Sequence, residues 1–499
     1  MNLQDIRREQ VAREDLVLFI NACFACTGQK EFYSDGWRQR VSIDFLHRYI
    51  LGNYRLLYAR TLAAGINDFN AAQIIVNLLS TGRSVDPAHR VEEGALIAAA
   101  LRRMPPQRAW RVLSTLRERK INNRRARAIV REYAGSRDIV FDSVKYRVKV
   151  RSALRHTHDT KATSPQPPPP EGERRDYGEL GAFLFRGWKE RAFKTPLYES
   201  FRAAHFSASS IYKLPFTVAE GLAAKHGIDR KVFLQGIEAQ MTEGEKLRMQ
   251  RSAEESKSKA PAVDWDRLPL TKLTLYALSL TPEQRVIEQE RLLSALMSAA
   301  HSSLRRSPMR LGKVAAVLDN SYSSFGSSEK RRRPLAVAIA ADYLLRTAST
   351  EYRAFWSTPT DDPLSTRAHG QTDLSTPILD ALDWGPDLVV IVSDGCDNDP
   401  PHGAGEVLRV FRSKLDPGHV VSIVHCNPVF DPEDYLLKSV SPFVPTVGLR
   451  DAEDLSTMLG FARFADGSES LAELEAYLAA RSAGLIAAME KRSRREVEI

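Results

Sequence analysis

Long apolar runs are missing from this chain. No stretch of about 18 apolar residues occurs anywhere in it, which excludes a membrane-spanning helix. The N-terminal stretch 1–17 is rich in charge and contains no apolar signal core. Cysteine is scarce: Cys23, Cys26, Cys396 and Cys426 are the whole supply, too few for a disulfide framework in a chain of this length, and they point to a reducing compartment. These absences set the expectation of a cytoplasmic protein. The pair Cys23-Phe24-Ala25-Cys26 has no second Cys or His pair near it, as a zinc site would need, and three residues apart on a helix it reads as core packing. There is no glycine-rich phosphate loop and no nucleophile–base–acid constellation, so no enzyme is expected.

Positive charge is what the chain has in excess. Its 499 residues hold 71 Lys and Arg against 62 Asp and Glu, a net charge of +9. The excess is local. Between Arg102 and Arg155, 17 cations face only Glu118, Glu132, Asp138 and Asp142, and the rest of the chain is slightly acidic. A single basic block in such a chain suggests a polyanionic partner. Its first group is Arg117, Arg119, Lys120, Arg124, Arg125, Arg127 and Arg131; at helical pitch these cover more than one face, with Ile121, Ala128 and Ile129 left as anchors. The second is Lys145, Arg147, Lys149 and Arg151, spaced at every other residue in a strand-like alternation with Tyr146 and Val148, and followed by Arg155. Such side chains contact phosphates with little sequence choice and a strong salt dependence. Arg, Tyr133 and Tyr146 can also stack on unpaired bases. An acidic protein surface would satisfy the same charges.

Periodicity divides the chain into segments. Residues 15–155 are read mostly as helices. Ile43, Leu46, Ile50, Tyr54 and Leu57 recur on one face of 42–64, with a break expected at Gly52-Asn53, and the pattern continues over 71–79, 92–103 and 109–116. Stacked helix pairs, HEAT-like and possibly ring-forming, are the economical architecture. Residues 159–177, with the run Pro167–Pro170, read as a linker or a loop. Helices return over 214–225, 229–241 and 282–303, with a polar stretch at 245–260 expected as a solvated helix end or loop. From Lys313 the period changes: apolar runs at 314–318, 352–356, 388–392 and 420–425 alternate with helices at 333–347, 375–382 and 404–415, and a last helix is expected at 472–491. Continuous apolar strands between helices predict a doubly wound parallel α/β domain, buried on both faces. The expected organisation is therefore multi-domain: a helical module in two parts, 1–158 and 178–310, around the Pro-rich segment 159–177, then an α/β domain over 311–499.

Ligands in such sheets bind beyond the carboxyl ends of the strands. There the sequence places Asp319-Asn320-Ser321-Tyr322-Ser323, Gly370-Gln371-Thr372 and Ser393-Asp394-Gly395. Two carboxylates and three hydroxyls are hard oxygen donors suited to Mg²⁺ or another divalent cation. Few protein charges around the ion leave it able to take a carboxylate or phosphate oxygen from a partner. One metal with neutral hydroxyl ligands argues against two-metal hydrolysis.

Asp-x-Ser-x-Ser after the first strand, Thr in a middle loop and Asp-Gly after an apolar strand resemble von Willebrand factor A-like domains. That resemblance implies a metal-ion-dependent adhesion site (MIDAS) of Asp319, Ser321, Ser323, Thr372 and Asp394. The order of parts resembles the Ro autoantigen (TROVE) family. Local pieces support it: Leu16–Thr27 running into Gln29–Tyr33, the stretch Glu93–Leu101, and Asp266–Leu273 before the metal domain. The resemblance implies a ring of helical repeats that takes single-stranded ends of misfolded small RNAs in its hole and small non-coding RNA on a basic outer surface, hence a ribonucleoprotein. A monomer is expected. The alternative is an adaptor whose metal captures an acidic protein partner, as in bacterial von Willebrand factor A-like proteins that look like partners of MoxR-type AAA+ ATPases.

Overall fold

The computed structural model describes residues 3–156, 178–255, 259–433, 435–467 and 469–497; the Pro-rich segment 159–177 lies outside them. The chain forms two compact units. One joins Met1–Ala71 to Trp265–Ser482; the other joins Ala72–Asp264 to Ala483–Ile499. The first helices thus pack with the sheet-bearing part of the chain, not with the helical stretch that follows them.

The first unit is built on five parallel strands: β1 (Leu311–Leu318), β2 (Ser349–Trp356), β3 (Leu388–Val392), β4 (Ser422–Asn427) and β5 (Thr446–Gly448), in the order β2-β1-β3-β4-β5. Their apolar runs exist because both faces are covered. Ala315, Val317, Val389, Ile391 and Ile423 pack against Ile378 and Ala381 of the helix Ser375–Asp383 and Leu408 of the helix Gly403–Val410. The alternate residues Val314, Ala316, Leu318 and Val390 are equally buried, and the helix Arg333–Ala348, sunk along most of its length, packs on the sheet as well. This is the doubly wound α/β arrangement expected. Leu318 lies level with Trp356 on one side and Val392 on the other, so the loops after β1, β2 and β3 leave the sheet side by side. The strand order reverses between β1 and β3, which opens the crevice where ligands bind in such sheets. β5 and the helix Leu455–Ala465 were not anticipated; a three-residue strand gives too little period to detect.

Among the described residues the second unit holds no strand. The helix Pro106–Glu118 packs on Arg147–His156, and Arg90–Arg103 on Arg124–Gly135. Two expectations are corrected here. The alternation over Lys145–Arg151 is not a strand: the helix Ile139–Lys145 ends there and Arg147–His156 begins. No neighbouring strand exists to pair with it, and Lys and Arg favour helix on their own. Nor is Arg117–Arg131 one helix. Lys120 takes a left-handed conformation at φ 57°, Ile121 is buried, and the Asn123 side chain accepts the Ala126 N–H at 2.8 Å to start a new helix at Arg124. The polar stretch from 245 is also mostly helical, within Glu243–Glu255.

Candidate functional site

The loop after β1 is folded onto its own carboxylate. Asp319 Oδ1 accepts the Ser321 N–H at 2.8 Å, and the Ser321 and Ser323 hydroxyls lie 3.3 Å apart. The Ser323 hydroxyl bonds in turn to the Asp394 carboxylate, whose Oδ1 accepts the Cys396 N–H at 3.0 Å. Thr372 belongs to the same assembly through its backbone: its carbonyl accepts the N–H groups of Asn398 and Asp399, both at 3.0 Å, tying the middle loop to the loop after β3. All five predicted residues are buried. The structure therefore brings Asp319, Ser321, Ser323 and Asp394 into one cluster, with Thr372 buried on a loop tied to the one after β3.

Electrostatics make the cluster costly as it stands. Burial and the neighbouring Asp394 charge push the Asp319 carboxyl up to about 7, against hydrogen bonds from Ser321 and Ser357 that lower it. Burial raises Asp394 as well, with Lys438 pulling the other way. Among the described residues neither carboxylate has a salt-bridge partner. Two buried like charges favour a proton or a cation between them. A void of about 10 Å³ lies against Asp319, Val392, Ser393 and Asp394, the space of a single small sphere. The donor set and the missing countercharge fit a hard divalent cation.

Three residues that the sequence did not mark complete the surroundings. Ser357, the residue after β2, donates to Asp319 Oδ1 at 3.2 Å and to Asn320 Oδ1 at 2.8 Å; its place at a strand end was a usable signal. Tyr33 bonds through its phenol to Ser323 and Cys396, and burial with the Asp394 charge raises its pKa. Lys438 Nζ stands 5.5 Å from the Tyr33 ring centroid, 3.6 Å from Asp431 Oδ2 and 3.9 Å from Cys396 Sγ. Tyr33 and Lys438 are separated from the metal loops by long sequence distances, and nothing local announces them. The Tyr33 segment is anchored to the loop after β1: Ser327 donates to the Lys30 carbonyl at 2.6 Å, and Glu31 and Lys330 form a buried ion pair. A cavity of about 70 Å³ opens between Tyr33, Asp394, Phe430 and Lys438.

The basic residues fall in the helix-only unit in two states. Arg117, Arg119, Lys120, Arg124, Arg127 and Arg131 are exposed. Among the described residues Arg117, Lys120, Arg124 and Arg127 make no salt bridge, and Arg119 reaches only Gln73, at 3.3 Å. The others are held by the protein. Arg125 pairs with buried Glu93, and Lys145 pairs with Glu245 at 3.3 Å. Lys149 leans on the Gln107 carbonyl at 3.4 Å. Arg147 donates to the carbonyls of Phe183 and Leu184 at 3.0 and 2.9 Å. Arg151 is half-buried. The two sequence groups meet: Asn122 donates to the His156 carbonyl at 3.0 Å and the His156 ring bonds the Ile121 carbonyl at 2.7 Å. Like charges crowd there. Burial and Arg111 hold the Lys149 ammonium below its ordinary value, and burial and Arg151 do the same to Arg147.

No family model matches the sequence, and no curated protein does. Among solved structures the chain is similar to the crystal structure of the Ro (RSR) protein of Deinococcus radiodurans, with 15% identity over 85% of this chain and 94% of that one and a TM-score of 0.49.

Proposed function

We propose that this chain is a Ro-like RNA-binding protein that holds small structured or misfolded RNA on the basic helices of its helix-only unit. Its sheet-bearing unit serves as a docking module that binds Mg²⁺ or another divalent cation through Asp319, Ser321, Ser323, Thr372 and Asp394. One observation carries the RNA half: exposed Arg117, Lys120, Arg124 and Arg127 have no acidic partner among the described residues and stand around the turn between the helices Pro106–Glu118 and Arg124–Gly135. Unneutralised cations on a rigid surface gain most from phosphates, whose bound counterions they release. A bound cation would supply an open coordination position for an oxygen of a partner. The chain's own part is to hold two carboxylates and three hydroxyls in place around it. In this reading the protein is a cytoplasmic monomer without catalytic activity.

The test is what copurifies with the full-length chain. Wild type is expected to carry small RNA, and a variant with Arg117→Glu, Arg124→Glu and Arg127→Glu is expected to lose it. Arg125 is left intact because it neutralises Glu93. Equal RNA yields from both proteins would remove the patch from the account. The adaptor reading draws on a different feature, the cavity beside Asp394, whose wall carries Lys438 together with Glu31, Asp431 and Glu433, so that it would take an acidic side chain only through a bound cation. An RNA-free preparation that retains an ATPase through this site would support it.

A further inference from the structure

Trp188 stands on the surface of the helix-only unit, 40% exposed, beside Phe206 at 65%. Two large aromatics exposed side by side make a small apolar patch. Here they are held in a built arrangement. Trp188 lies in the turn Gly187–Lys189, after the helix Gly178–Phe185. Arg147 fixes that turn from the basic helix Arg147–His156 by donating to the carbonyls of Phe183 and Leu184. Gly187, at φ +59°, leaves the guanidinium its room: a Cβ there would come within 2.6 Å of it. On the other side the Trp188 ring stacks on His205, with centroids 5.2 Å apart and planes at 25°, and meets Phe206 edge-on at 6.1 Å. His205 Nε2 is buried and finds no hydrogen-bond partner among the described residues.

The surroundings are positive. Lys189 and Lys225 lie 5.8 and 6.0 Å from the Trp188 ring centroid. The segment 185–194 holds Arg186, Lys189, Arg191 and Lys194 against one acid, Glu190, which is already paired to Arg186 at 3.0 Å. The charges of Lys225 and Arg147 that act on the His205 ring are both positive. An exposed aromatic ring with lysines over it and, among the described residues, no acid paired to them matches a ligand with a π-face and a phosphate in one unit. A nucleotide is that ligand. An acidic peptide would use the lysines but would gain nothing from the rings.

We propose that Trp188 and Phe206 form a stacking platform for an unpaired nucleobase, with Lys189 and Lys225 on the adjoining phosphates. The platform continues the basic surface through Arg147 and takes the single-stranded part of an RNA. It rests on the RNA-binding reading above.

The experiment is fluorescence anisotropy of the full-length chain with a labelled single-stranded 12-mer RNA, the same RNA in a duplex, and poly-glutamate as the acidic-polypeptide probe. Wild type, Trp188→Ala, Phe206→Ala and Trp188→Phe are compared after their thermal midpoints are matched. Stacking of one base predicts that Trp188→Ala weakens single-strand binding by roughly tenfold or more, that duplex binding hardly changes, and that Trp188→Phe recovers most of the loss. Should Trp188→Ala fail to fold, Phe206→Ala and Trp188→Phe against the duplex control still decide. Unchanged single-strand affinity in these variants overturns the platform, and so does an equal loss for poly-glutamate. If charge reversal at Arg117, Arg124 and Arg127 abolishes binding while Trp188→Ala leaves it intact, only the platform falls. If wild type binds none of the RNAs, the RNA reading falls and the platform with it.

Discussion

Asp319 and Asp394 carry the chemistry of the sheet-bearing unit at the cost of its stability. Each is buried, the Asp394 charge raises the Asp319 pKa, and hydrogen bonds from Ser321, Ser357, Ser323 and Cys396 offset only part of that cost. Removing one charge relieves the repulsion. Asp394→Asn is therefore expected to stabilise the metal-free protein by roughly 1–2 kcal/mol at neutral pH and to lack the rise in Tm that Mg²⁺ is expected to produce in wild type. Differential scanning fluorimetry with and without Mg²⁺ reads both, and a variant that keeps the Mg²⁺ shift would contradict the assignment. A second pair of residues sets an acid limit. His47 sits buried between the Tyr58 hydroxyl at 2.9 Å and Asn70 Oδ1 at 3.0 Å, and His425 is buried under β3 and β4. Burial lowers both to about 4. The folded state resists their protonation and the unfolded chain does not, so stability is lost as pH falls below about 6.5 towards 4, by about 2 kcal/mol for each histidine at pH 5. Urea titrations at pH 7 and pH 5 check it, and a flat profile would refute it. At this scale the strand-end positions of Asp319, Ser321, Ser323 and Asp394 were legible, because each follows an apolar run. Tyr33 and Lys438 were not: the packing of the first 71 residues with the sheet-bearing part brings in Tyr33, and Asn427, which donates to the Asp394 and Lys438 carbonyls, brings in Lys438.

Two local devices place the charged elements. The switch in strand order between β1 and β3 sets Asp319 beside Asp394, and Asn123 sets the start of the helix Arg124–Gly135 that presents Arg124 and Arg127. Its side chain accepts the Ala126 N–H and donates to the Leu79 carbonyl at 2.7 Å. Asn123→Ala is expected to cost about 1–2 kcal/mol, from the cap and the added bond. It should also weaken RNA binding less than charge reversal at Arg124 and Arg127 does. Denaturation midpoints and binding isotherms of the two variants separate the effects. The strands were legible as apolar runs, and their order was not, since order depends on which crossover each helix makes. The continuous basic helix expected over Arg117–Arg131 failed for a local reason: the charges obscure a helix stop at Lys120 and a cap at Asn123, three residues on.

The whole molecule combines two compact units with opposite electrostatic needs. One encloses a carboxylate pair that calls for a cation; the other exposes arginines and lysines that call for an anion. Composition made the second need visible, because the basic block is contiguous in sequence between Arg102 and Arg155. It gave no sign of how the chain divides, with the first helices joining residues more than 190 positions away. The central claim is that the exposed cations bind RNA through its phosphates. Its most direct measurement is the affinity of the full-length chain for a small structured RNA between 50 and 200 mM salt. With four to six phosphate contacts, affinity should fall by roughly 10²–10³ over that range, and the slope should flatten when Arg117, Arg124 and Arg127 are replaced by glutamate. An affinity indifferent to salt, or one that the triple replacement leaves unchanged, would contradict it.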